Sequence, residues 1–366
     1  MKICKVIEEL EEWASPTLQE SYDNAGLIIG DFMDEFQGGL ITLDVTEDVI
    51  SEAISKGCNL IIAHHPLIFL GKKRIGSSHW IDKCIRKAII NKINIYAIHT
   101  NLDNVSSGVN DMICEKIGLV DREILQPKSS TLQKLTSFIP SEASSTVLKA
   151  LFDAGAGKIG NYDECSFQSD GLGSFRPNEK ANPSIGKKNK REEVHESRIE
   201  VLVPSHSAHR IITALKNSHP YEEVAYYLQE LKNLNQEIGS GMTGRLPTPM
   251  SFEGFLIKLE SNMDLKNFKH TKPFKDNIEK IAVCGGSGSF LLKAAIRAKS
   301  DVFITSDFKY HEFFEANNQI MIIDIGHYES EVFTKNLIYR RLIKKFASFA
   351  IFLSGVNTNP VKYRKY

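Results

Sequence analysis

The chain has 366 residues and a balanced charge, with Lys plus Arg and Asp plus Glu each totalling 45. This length allows two or three domains with a sizeable buried core, because domains commonly span roughly 100 to 200 residues. The balance excludes an overall basic field that would attract nucleic acid, so the sequence gives no strong nucleic-acid signal.

The cysteines and the apolar runs indicate the compartment. Six cysteines are scattered without a Cys-x-x-Cys pair, which argues against a zinc finger, a redox motif and a secreted disulfide framework. The N-terminal stretch MKICKVIEELEEWA has the pattern of an acidic amphipathic helix rather than of a signal peptide. No apolar run approaches the roughly 20 residues that a membrane-spanning helix needs. We therefore expect a cytoplasmic protein with no membrane segment.

Strand-like and helical patterns alternate in the first third of the chain. Short apolar runs predict strands, and amphipathic stretches predict helices. The predicted strands cover 26–30, 39–45, 59–64 and 93–99, and the predicted helices cover 3–13, 47–57 and 79–92. This alternation is typical of an α/β fold with a largely parallel sheet.

The same alternation returns near the C-terminus, so the fold class predicted is α/β, with two similar halves that form one domain. Strands are predicted at 280–286, 301–307 and 320–326, and helices at 291–300 and from about His327 onward. The three predicted parts are an N-terminal half at 1–127, an inserted α+β domain at 128–243 and a C-terminal half at 244–366.

The middle segment differs in amino-acid composition from both halves. Residues 171–195 are rich in Gly, Pro, Asn and Lys, which predicts a loop or a hairpin surface. A strand pattern at 198–204 and a helix pattern at 207–218 follow. These features predict a small α+β unit inserted into the first domain.

Two adjacent histidines end one of the apolar runs. In NLIIAHHPLIF, His64 and His65 follow a predicted strand and precede Pro66. The carboxyl ends of the strands form the ligand-binding edge of an open α/β sheet. Neighbouring strand residues point to opposite faces. Both rings can therefore bind the same ion only if Pro66 breaks this alternation. The alternative is that each ring binds a different ion.

Two further strand ends carry similar side chains. INIYAIHTNLDN places Asp103 four residues beyond His99, and IMIIDIGHYESE places Glu331 four residues beyond His327. The second spacing puts an imidazole and a carboxylate on one face of a helix. The alternative is structural, because strand-end histidines often hydrogen-bond in turns and a Glu in a first helical turn often serves the helix dipole. Spacing alone leaves both interpretations open.

The candidate metal ligands combine imidazoles and carboxylates: His64, His65, Asp103, His327 and Glu331. This set suits Zn, Mn, Fe or Ni, and the lack of thiolates disfavours a closed structural zinc site. Five ligands exceed the needs of one open catalytic zinc, whereas two ions bridged by a carboxylate or water would use them all. Two divalent ions per chain would carry more positive charge than two carboxylates neutralise, which favours an anionic small-molecule or nucleotide substrate.

Eight segments together resemble one protein family, and they run through nearly the whole chain. They are SYDNAGLIIGD (21–31), LIIAHHPLIF (60–69), HTNLDN (99–104), KIGNYDECSF (158–167), GLGSFRP (171–177), HPYEEVAYYL (219–228), SDFKYHE (306–312) and DIGHYESE (324–331). These motifs are similar to those of the GTP cyclohydrolase 1 type 2 homologs, also called interacting-factor-3-like proteins.

The resemblance implies a two-metal site, a toroidal homohexamer and an inserted domain similar to the ferredoxin-like PII and CutA signalling fold. The family's dinuclear metal motif falls on the same five residues, His64, His65, Asp103, His327 and Glu331. The family name does not establish GTP cyclohydrolase activity, because the chain has no G-x-x-x-x-G-K-[ST] P-loop and chemistry has to be argued from the site.

Weaker candidates surround this set. In CGGSGSF, the residues Gly286, Ser287 and Gly288 could bind a substrate phosphate through backbone N–H groups, or form a plain tight turn. His311 and His99 are candidates for acid or base catalysis, or for supporting a metal ligand from behind.

Some polar residues have two open interpretations. Asp307 and Tyr310 could orient ligands or cap the following helix. Asp23 is expected in a turn near the mouth of the site. His206, His209 and His219 in the middle segment are expected to be surface or turn residues rather than a further metal site.

Two functions remain open at this level. The first is a metal-dependent hydrolase that acts on a phosphoester or a nucleotide-like substrate through activated water. The alternative is a non-catalytic protein that stores, delivers or senses metal, or a regulator that acts through its PII-like insert. An acid or base residue outside the ligand set would favour the first.

Overall fold

The computed structural model describes residues 1–364, which form alternating strands and helices. The strands are β1 (Gly26–Ile29), β2 (Gly39–Thr42), β3 (Leu60–Ala63), β4 (Asn94–Ala97), β5 (Val120–Lys128), β6 (Leu132–Pro140), β7 (Ser166–Phe175), β8 (Glu192–Pro204), β9 (Tyr226–Leu231), β10 (Asn235–Ser251), β11 (Lys269–His270), β12 (Asn277–Ser287), β13 (Val302–Ser306), β14 (Met321–Asp324) and β15 (Ile351–Leu353). The helices are α1 (Ile3–Trp13), α2 (Glu47–Ser55), α3 (Trp80–Ile90), α4 (Thr100–Asp103), α5 (Val109–Ile117), α6 (Ser144–Asp153), α7 (Ala208–Ser218), α8 (Phe252–Met263), α9 (Leu292–Arg297), α10 (His327–Glu331) and α11 (Thr334–Lys345). The predicted α/β class is confirmed.

The first sheet has the strand order β1-β4-β3-β2-β15. The four strands from β4 to β15 run parallel, and β1 pairs antiparallel at the edge. Because β2, β3 and β4 are buried along their whole length, they are mainly apolar runs, as parallel strands covered on both faces usually are. Strand β15 comes from the C-terminal part of the chain, so the two predicted halves share this sheet.

The second sheet has the order β11-β14-β13-β12-β10-β5. Its centre, β12 to β14, is parallel, and β10 pairs antiparallel with β12. Together the two sheets provide the strand ends at which the candidate ligands were predicted.

Amphipathic patterns place the helices against the sheets. In α1 the residues Ile3, Val6, Ile7 and Leu10 are buried, which is the i, i+3, i+4, i+7 spacing of one helix face. The helix predicted from His327 onward is instead two helices, α10 and α11. Val332 and Phe333 lie between them with right-handed helical backbone angles.

The chain divides into two compact units, and the second comprises Lys128–Gln236. The second unit ends before the predicted residue 243, because β10 continues through that position in the second sheet, with Met242 opposite Val283. Its element order, β6-α6-β7-β8-α7-β9, is the split βαβ arrangement of ferredoxin-like folds. The four strands pair antiparallel in the order β7-β8-β6-β9. A likeness to PII or CutA stays a prediction.

Candidate metal centre

The five candidate ligands meet at the carboxyl ends of three strands in the first unit. They follow β3 (His64 and His65), β4 (Asp103, at the end of α4) and β14 (His327 and Glu331, at the two ends of α10). The chain can enter α10 directly after β14 because Gly326 adopts a φ of 92°. Glycine adopts such a conformation without the penalty that a Cβ imposes.

Glu331 stands between two groups of ligand atoms. Its Oε2 lies 2.9 Å from Nε2 of His65 and 3.1 Å from Nε2 of His327. Its Oε1 lies 3.8 Å from Nε2 of His64, and that nitrogen lies 3.7 Å from Oδ1 of Asp103. Within each group, one ligand atom from every residue lies within 4.8 Å of the others. One carboxylate therefore faces two three-residue groups.

Carboxylates contact the Nδ1 atoms of two of these histidines, on the opposite side of each ring from Glu331. Nδ1 of His65 lies 2.7 Å from Oδ1 of Asp44, and Nδ1 of His327 lies 2.7 Å from Oδ2 of Asp307. An ionised carboxylate only accepts hydrogen bonds, so each ring donates from Nδ1. Each Nε2 is thereby directed toward Glu331. This is the usual support of metal-binding imidazoles.

The other two histidines of the cluster are fixed in the same way. Nδ1 of His64 lies 2.8 Å from the carbonyl oxygen of Ile98. Nδ1 of His99 lies 2.8 Å from Oδ1 of Asp23. Because a carbonyl oxygen is also only an acceptor, His64 donates from Nδ1 and keeps Nε2 as an acceptor. His64 is thus in the tautomer that binds a metal through Nε2.

The two groups differ in how their histidines titrate. Burial opposes the charge on His65, but hydrogen bonds with Asp44 and Glu331 outweigh it and raise the pKa of His65 to about 10. Burial likewise opposes the charge on His327, and hydrogen bonds with Glu331 and Asp307 raise its pKa to about 9. Burial lowers the pKa of His64, so that ring is neutral at neutral pH.

The two carboxylates of the cluster have pKa values that move in opposite directions. Burial and the charge of Glu331 raise the pKa of Asp103 well above its ordinary 3.8. Burial also opposes the charge on Glu331, but the histidines around it outweigh burial and lower its pKa well below 4.5. Two buried carboxylates at close range resist joint ionisation. A divalent cation would relieve that repulsion, because it is the largest local charge in such a site.

Within residues 1–364, two buried ligand atoms have no hydrogen-bond partner, Nε2 of His64 and Oδ1 of Asp103. Leaving such atoms unpaired costs about 1–3 kcal/mol each. Their separation of 3.7 Å is too long for a hydrogen bond. It does suit two ligands that each lie roughly 2.0–2.2 Å from one ion. The residues therefore fit a bound metal ion.

The cluster opens into a cavity of about 410 Å³. Three exposed aromatic side chains line it, Tyr22, Phe69 and Phe290. The rings of Tyr22 and Phe69 lie 6.2 Å apart. Asn104 and Asn110 add polar groups to the wall. The cavity is therefore lined both by the ionisable side chains of the cluster and by flat apolar rings.

Of the two predicted acid or base candidates, the structure brings only His99 to the cluster. A ring nitrogen of His99 lies within 4.8 Å of ligand atoms of His64 and His65. His311 is exposed, and its ring stacks near Phe314 with centroids 6.4 Å apart. His311 lies in the 3-10 helix Tyr310–Ala316, whereas Asp307, directly after β13, contacts His327.

The predicted phosphate-binding turn lies beside the cluster. Gly286 packs against the carboxylate of Glu331, since a Cβ there would lie 2.5 Å from Oε1. The hydroxyl of Ser287 donates a hydrogen bond to Asp307. Gly288 lies against buried side chains behind the turn. The turn thus supports the ligands, and phosphate binding by it stays a prediction.

Sequence reasoning missed Asp44 entirely and placed Asp23 only in a turn. Asp44 follows β2, the strand next to β3, so its position after a parallel strand was the available signal. Asp23 lies three residues before the predicted strand at 26–30 and was expected near the mouth of the site, but its contact with His99 depends on the fold. Asp307 supports His327, which was one of its two open interpretations.

The fold and this cluster define an α/β protein with a histidine and carboxylate site that fits metal ions. The family described as Duf34/NIF3 (NGG1p interacting factor 3) matches residues 1–360, and the chain belongs to that family. The chain is 37% identical to a GTP cyclohydrolase 1 type 2 homolog of Halalkalibacterium halodurans over 99% of its own length and 100% of the relative. It is 36% identical to the protein of that description in Bacillus subtilis, over 98% of each chain.

Solved structures agree with this assignment. A Bacillus cereus protein related to NIF3 superimposes with a TM-score of 0.89 at 36% identity, over 100% of this chain and 99% of that one. The Staphylococcus aureus protein SA1388 gives a TM-score of 0.76 at 30% identity, with the same coverage. Within residues 1–364, no helix is both long and apolar enough to cross a membrane. The homohexamer and the cytoplasmic location stay predictions.

Proposed function

We propose that this chain is a metal-dependent hydrolase that holds two divalent ions and acts on a phosphoester or nucleotide-like substrate. The observation that carries the proposal is the position of Glu331 between two ligand groups. One group contains two buried atoms that have no hydrogen-bond partner among the described residues. Two-metal sites of this kind recur in phosphatases and nucleases.

The donor atoms support a borderline divalent metal. Imidazole nitrogens and carboxylate oxygens suit Zn, Mn, Fe or Ni. Cys284 also lines the cavity, but burial, followed by the charges of Asp103 and Glu331, raises the pKa of its thiol. In the described part of the chain, residues 1–364, its sulfur belongs to none of the groups of ligand atoms that lie within 4.8 Å of one another, so a thiolate is not part of the proposed set.

When bound, the ions would supply an activated water at neutral pH and positive charge for an anionic substrate. His99 is the side chain best placed to move a proton beside them. Oδ1 of Asp23 accepts from Nδ1 of His99, and Oδ2 of Asp23 accepts from the backbone N–H and the hydroxyl of Thr100. This support fixes the ring and leaves Nε2 to exchange a proton with a substrate or water.

The cavity wall supports a substrate with a flat apolar part. Tyr22, Phe69 and Phe290 offer ring surfaces on which a base or another aromatic group can stack. A molecule that combines such a group with a phosphoester would place its anionic end at the metal groups.

Metal content and turnover, measured on the same preparations, test this proposal. Wild type, His64→Ala, Asp103→Ala and the control His311→Ala are stripped with a chelator and reloaded with Zn or Mn. We expect about two ions per chain in wild type and in the control, as in two-metal hydrolases. We expect a clear loss of metal in the other two variants, together with loss of turnover on a panel of phosphomonoesters, phosphodiesters and nucleotides.

Two results would contradict the proposal in different ways. Unchanged metal content in all four proteins would mean that the histidines are structural, and the whole metal assignment would fall. Full metal content in wild type with no turnover on any substrate of the panel would refute the hydrolase and leave metal binding.

A second candidate is a protein that stores, delivers or senses metal without turnover. The observation that favours it is that polar side chains of the cavity wall already bond within the protein. Asn104 donates to the carbonyl oxygen of Leu18, and Asn110 donates to that of Asp103. Such groups are less available to recognise a substrate. This candidate predicts stoichiometric, reversible metal binding alone.

A further inference from the structure

The inserted unit contains a cavity of its own. It measures about 770 Å³, and the residues that line it all lie between Phe138 and Tyr227. Small-molecule sites commonly occupy roughly 300–1,000 Å³. The insert therefore has room for a ligand independently of the metal cluster.

The cavity lies on the sheet face that points away from α6 and α7. Ile199 and Val201 of β8 are buried in the core that the sheet forms with these helices. Because side chains alternate along a strand, Glu196 and Arg198 point to the other face. Gly171 of β7 lies directly opposite Glu196 and contributes no side chain to this face.

Glu196 is a buried carboxylate on this face, with 8% of the residue exposed. Its Oε1 accepts a hydrogen bond from the hydroxyl of Tyr221 at 2.9 Å. Burial and this bond raise the pKa of Tyr221, so the phenol remains a donor. Oε2 lies where a Cβ on Gly173 would overlap it. The carboxylate is thus held in one orientation, and it still has acceptor positions for a ligand.

The charged groups of the cavity do not favour an anion. Its lining includes four carboxylate side chains and two arginines. One arginine is paired with a carboxylate outside the lining, and the other keeps its charge, so the four carboxylates still outnumber the positive charges. Arg198 forms an ion pair with Glu200 at 2.5 Å, and Nε of Arg176 donates to the carbonyl oxygen of Asn189 at 3.1 Å. The remaining acidic surface attracts a cation or a molecule rich in N–H donors.

Aromatic rings form much of the apolar wall. Phe138 and Tyr227 meet nearly edge to face with centroids 6.1 Å apart, and Phe175 and Tyr221 meet with centroids 5.6 Å apart. Such rings bind flat molecules through large apolar contacts and specific ring geometry. The aromatic wall therefore favours a planar ligand, and the carboxylate of Glu196 favours a ligand that carries hydrogen-bond donors.

We propose that this cavity binds a planar aromatic molecule with an amidine-type edge, which presents two adjacent N–H donors. Two parallel N–H donors match the two oxygens of a carboxylate, as they do in guanidinium–carboxylate pairs. Arylamidines and guanine-type bases share this edge. The site is separate from the metal cluster, and its existence does not depend on the hydrolase proposal.

Calorimetric titration of the full chain tests the site with two matched pairs of probes. Benzamidine has the proposed edge and benzoate has the same ring with an anionic group. Guanosine has the edge, and inosine lacks its amino group. We expect benzamidine, guanosine or both to bind, each roughly tenfold or more tightly than its partner probe, since a hydrogen bond to a charged group contributes about 1.5–3 kcal/mol.

Single substitutions test whether the probes bind in this cavity. Glu196→Gln keeps the size of the side chain and removes its charge, and we expect it to weaken binding of the preferred probe roughly tenfold or more. The control Glu193→Gln makes the same change on β8 outside the cavity and should leave binding unchanged. Tyr221→Phe removes the orienting hydroxyl and should weaken binding less. The Tyr221→Phe variant provides an independent test of the site if circular dichroism shows that Glu196→Gln is misfolded.

Several outcomes would overturn the proposal. These are no binding of benzamidine or guanosine, equal binding of the partner probes, and equal binding by the Glu196 and Glu193 variants. A fourth is loss of self-association in Glu196→Gln, measured by sedimentation, with no probe bound by wild type. That result would identify the cavity as a contact between copies of the chain.

Discussion

Three aspartates near the metal cluster touch its histidines rather than the proposed ions. Asp44, Asp23 and Asp307 each face the Nδ1 atom of a different ring. Such partners fix the tautomer and the direction of the imidazole and raise its basicity. The geometry of the cluster therefore depends on residues that a search for metal ligands alone would pass over.

Asp44→Asn tests this dependence. An amide can still hydrogen-bond to the ring, but it loses the charge that holds His65 in place and supports its basicity. We expect the affinity for Zn to fall about 10–100-fold, the usual effect of removing such a partner. Competition with a fluorescent chelator measures the affinity. Asp48→Asn, at an exposed position in the first turn of α2, is the matched control. Equal affinities in the two variants would contradict the supporting role of Asp44.

At the scale of elements, the ends of the strands could be predicted because the strands themselves are completely buried. Strands β2, β3 and β4 lie inside a parallel sheet, so their apolar runs are short and unbroken, and polar side chains stand out where each run stops. His64 and His65 follow β3 for this reason. The sequence could not show that Glu331 divides its two oxygens between two groups, because that depends on how the two sheets bring β3, β4 and β14 together.

Other elements left no such signal. Strand β7 is mostly exposed, and only its last residues, from Gly171 on, belong to the stretch 171–195 that was expected to be a loop or a hairpin surface. The second alternative agrees with the structure, because β7 and the next strand, β8, pair antiparallel. Strand β7 forms because its backbone pairs with β8 from Ser166 to Phe175. His311 was proposed as a catalytic residue from its position after a strand, but it is exposed in the 3-10 helix Tyr310–Ala316.

The glycine near the end of β12 gives a prediction at this scale. Gly286 has a φ of 61°, and a Cβ would lie 2.5 Å from Oε1 of Glu331. Gly286→Ala should therefore displace the shared carboxylate and lower the metal content. Gly57→Ala is the control, since Gly57 has a φ of 66° and no atom of the described residues lies within 4 Å of an added Cβ. Both substitutions should cost about 1–2 kcal/mol through the left-handed backbone.

Elemental analysis and thermal unfolding separate these two effects. Similar unfolding temperatures with metal lost only from Gly286→Ala would support the contact with Glu331. Equal metal content in the two variants would mean that the carboxylate adjusts without loss of the site.

At the scale of the whole molecule, the two proposed sites lie in different compact units. All the candidate metal ligands belong to the first unit, whereas the acidic cavity belongs to Lys128–Gln236. The second unit also has its own buried core, which includes Leu135, Val147, Val201 and Ile211. This division predicts that metal binding and ligand binding are separable.

Replacing residues 128–236 with a short Gly-Ser linker tests that separation. The ends to be joined are close, because Gly239 packs directly against the backbone of Gln126 and Pro127. We expect the shortened chain to fold and to keep the metal content of the full chain, since every ligand and every supporting aspartate is retained. It should lose all binding of benzamidine and guanosine. Circular dichroism, elemental analysis and calorimetry check these points in turn. A folded first unit that no longer held metal would show that the insert contributes to the metal site, and residual amidine binding would place that site outside the insert.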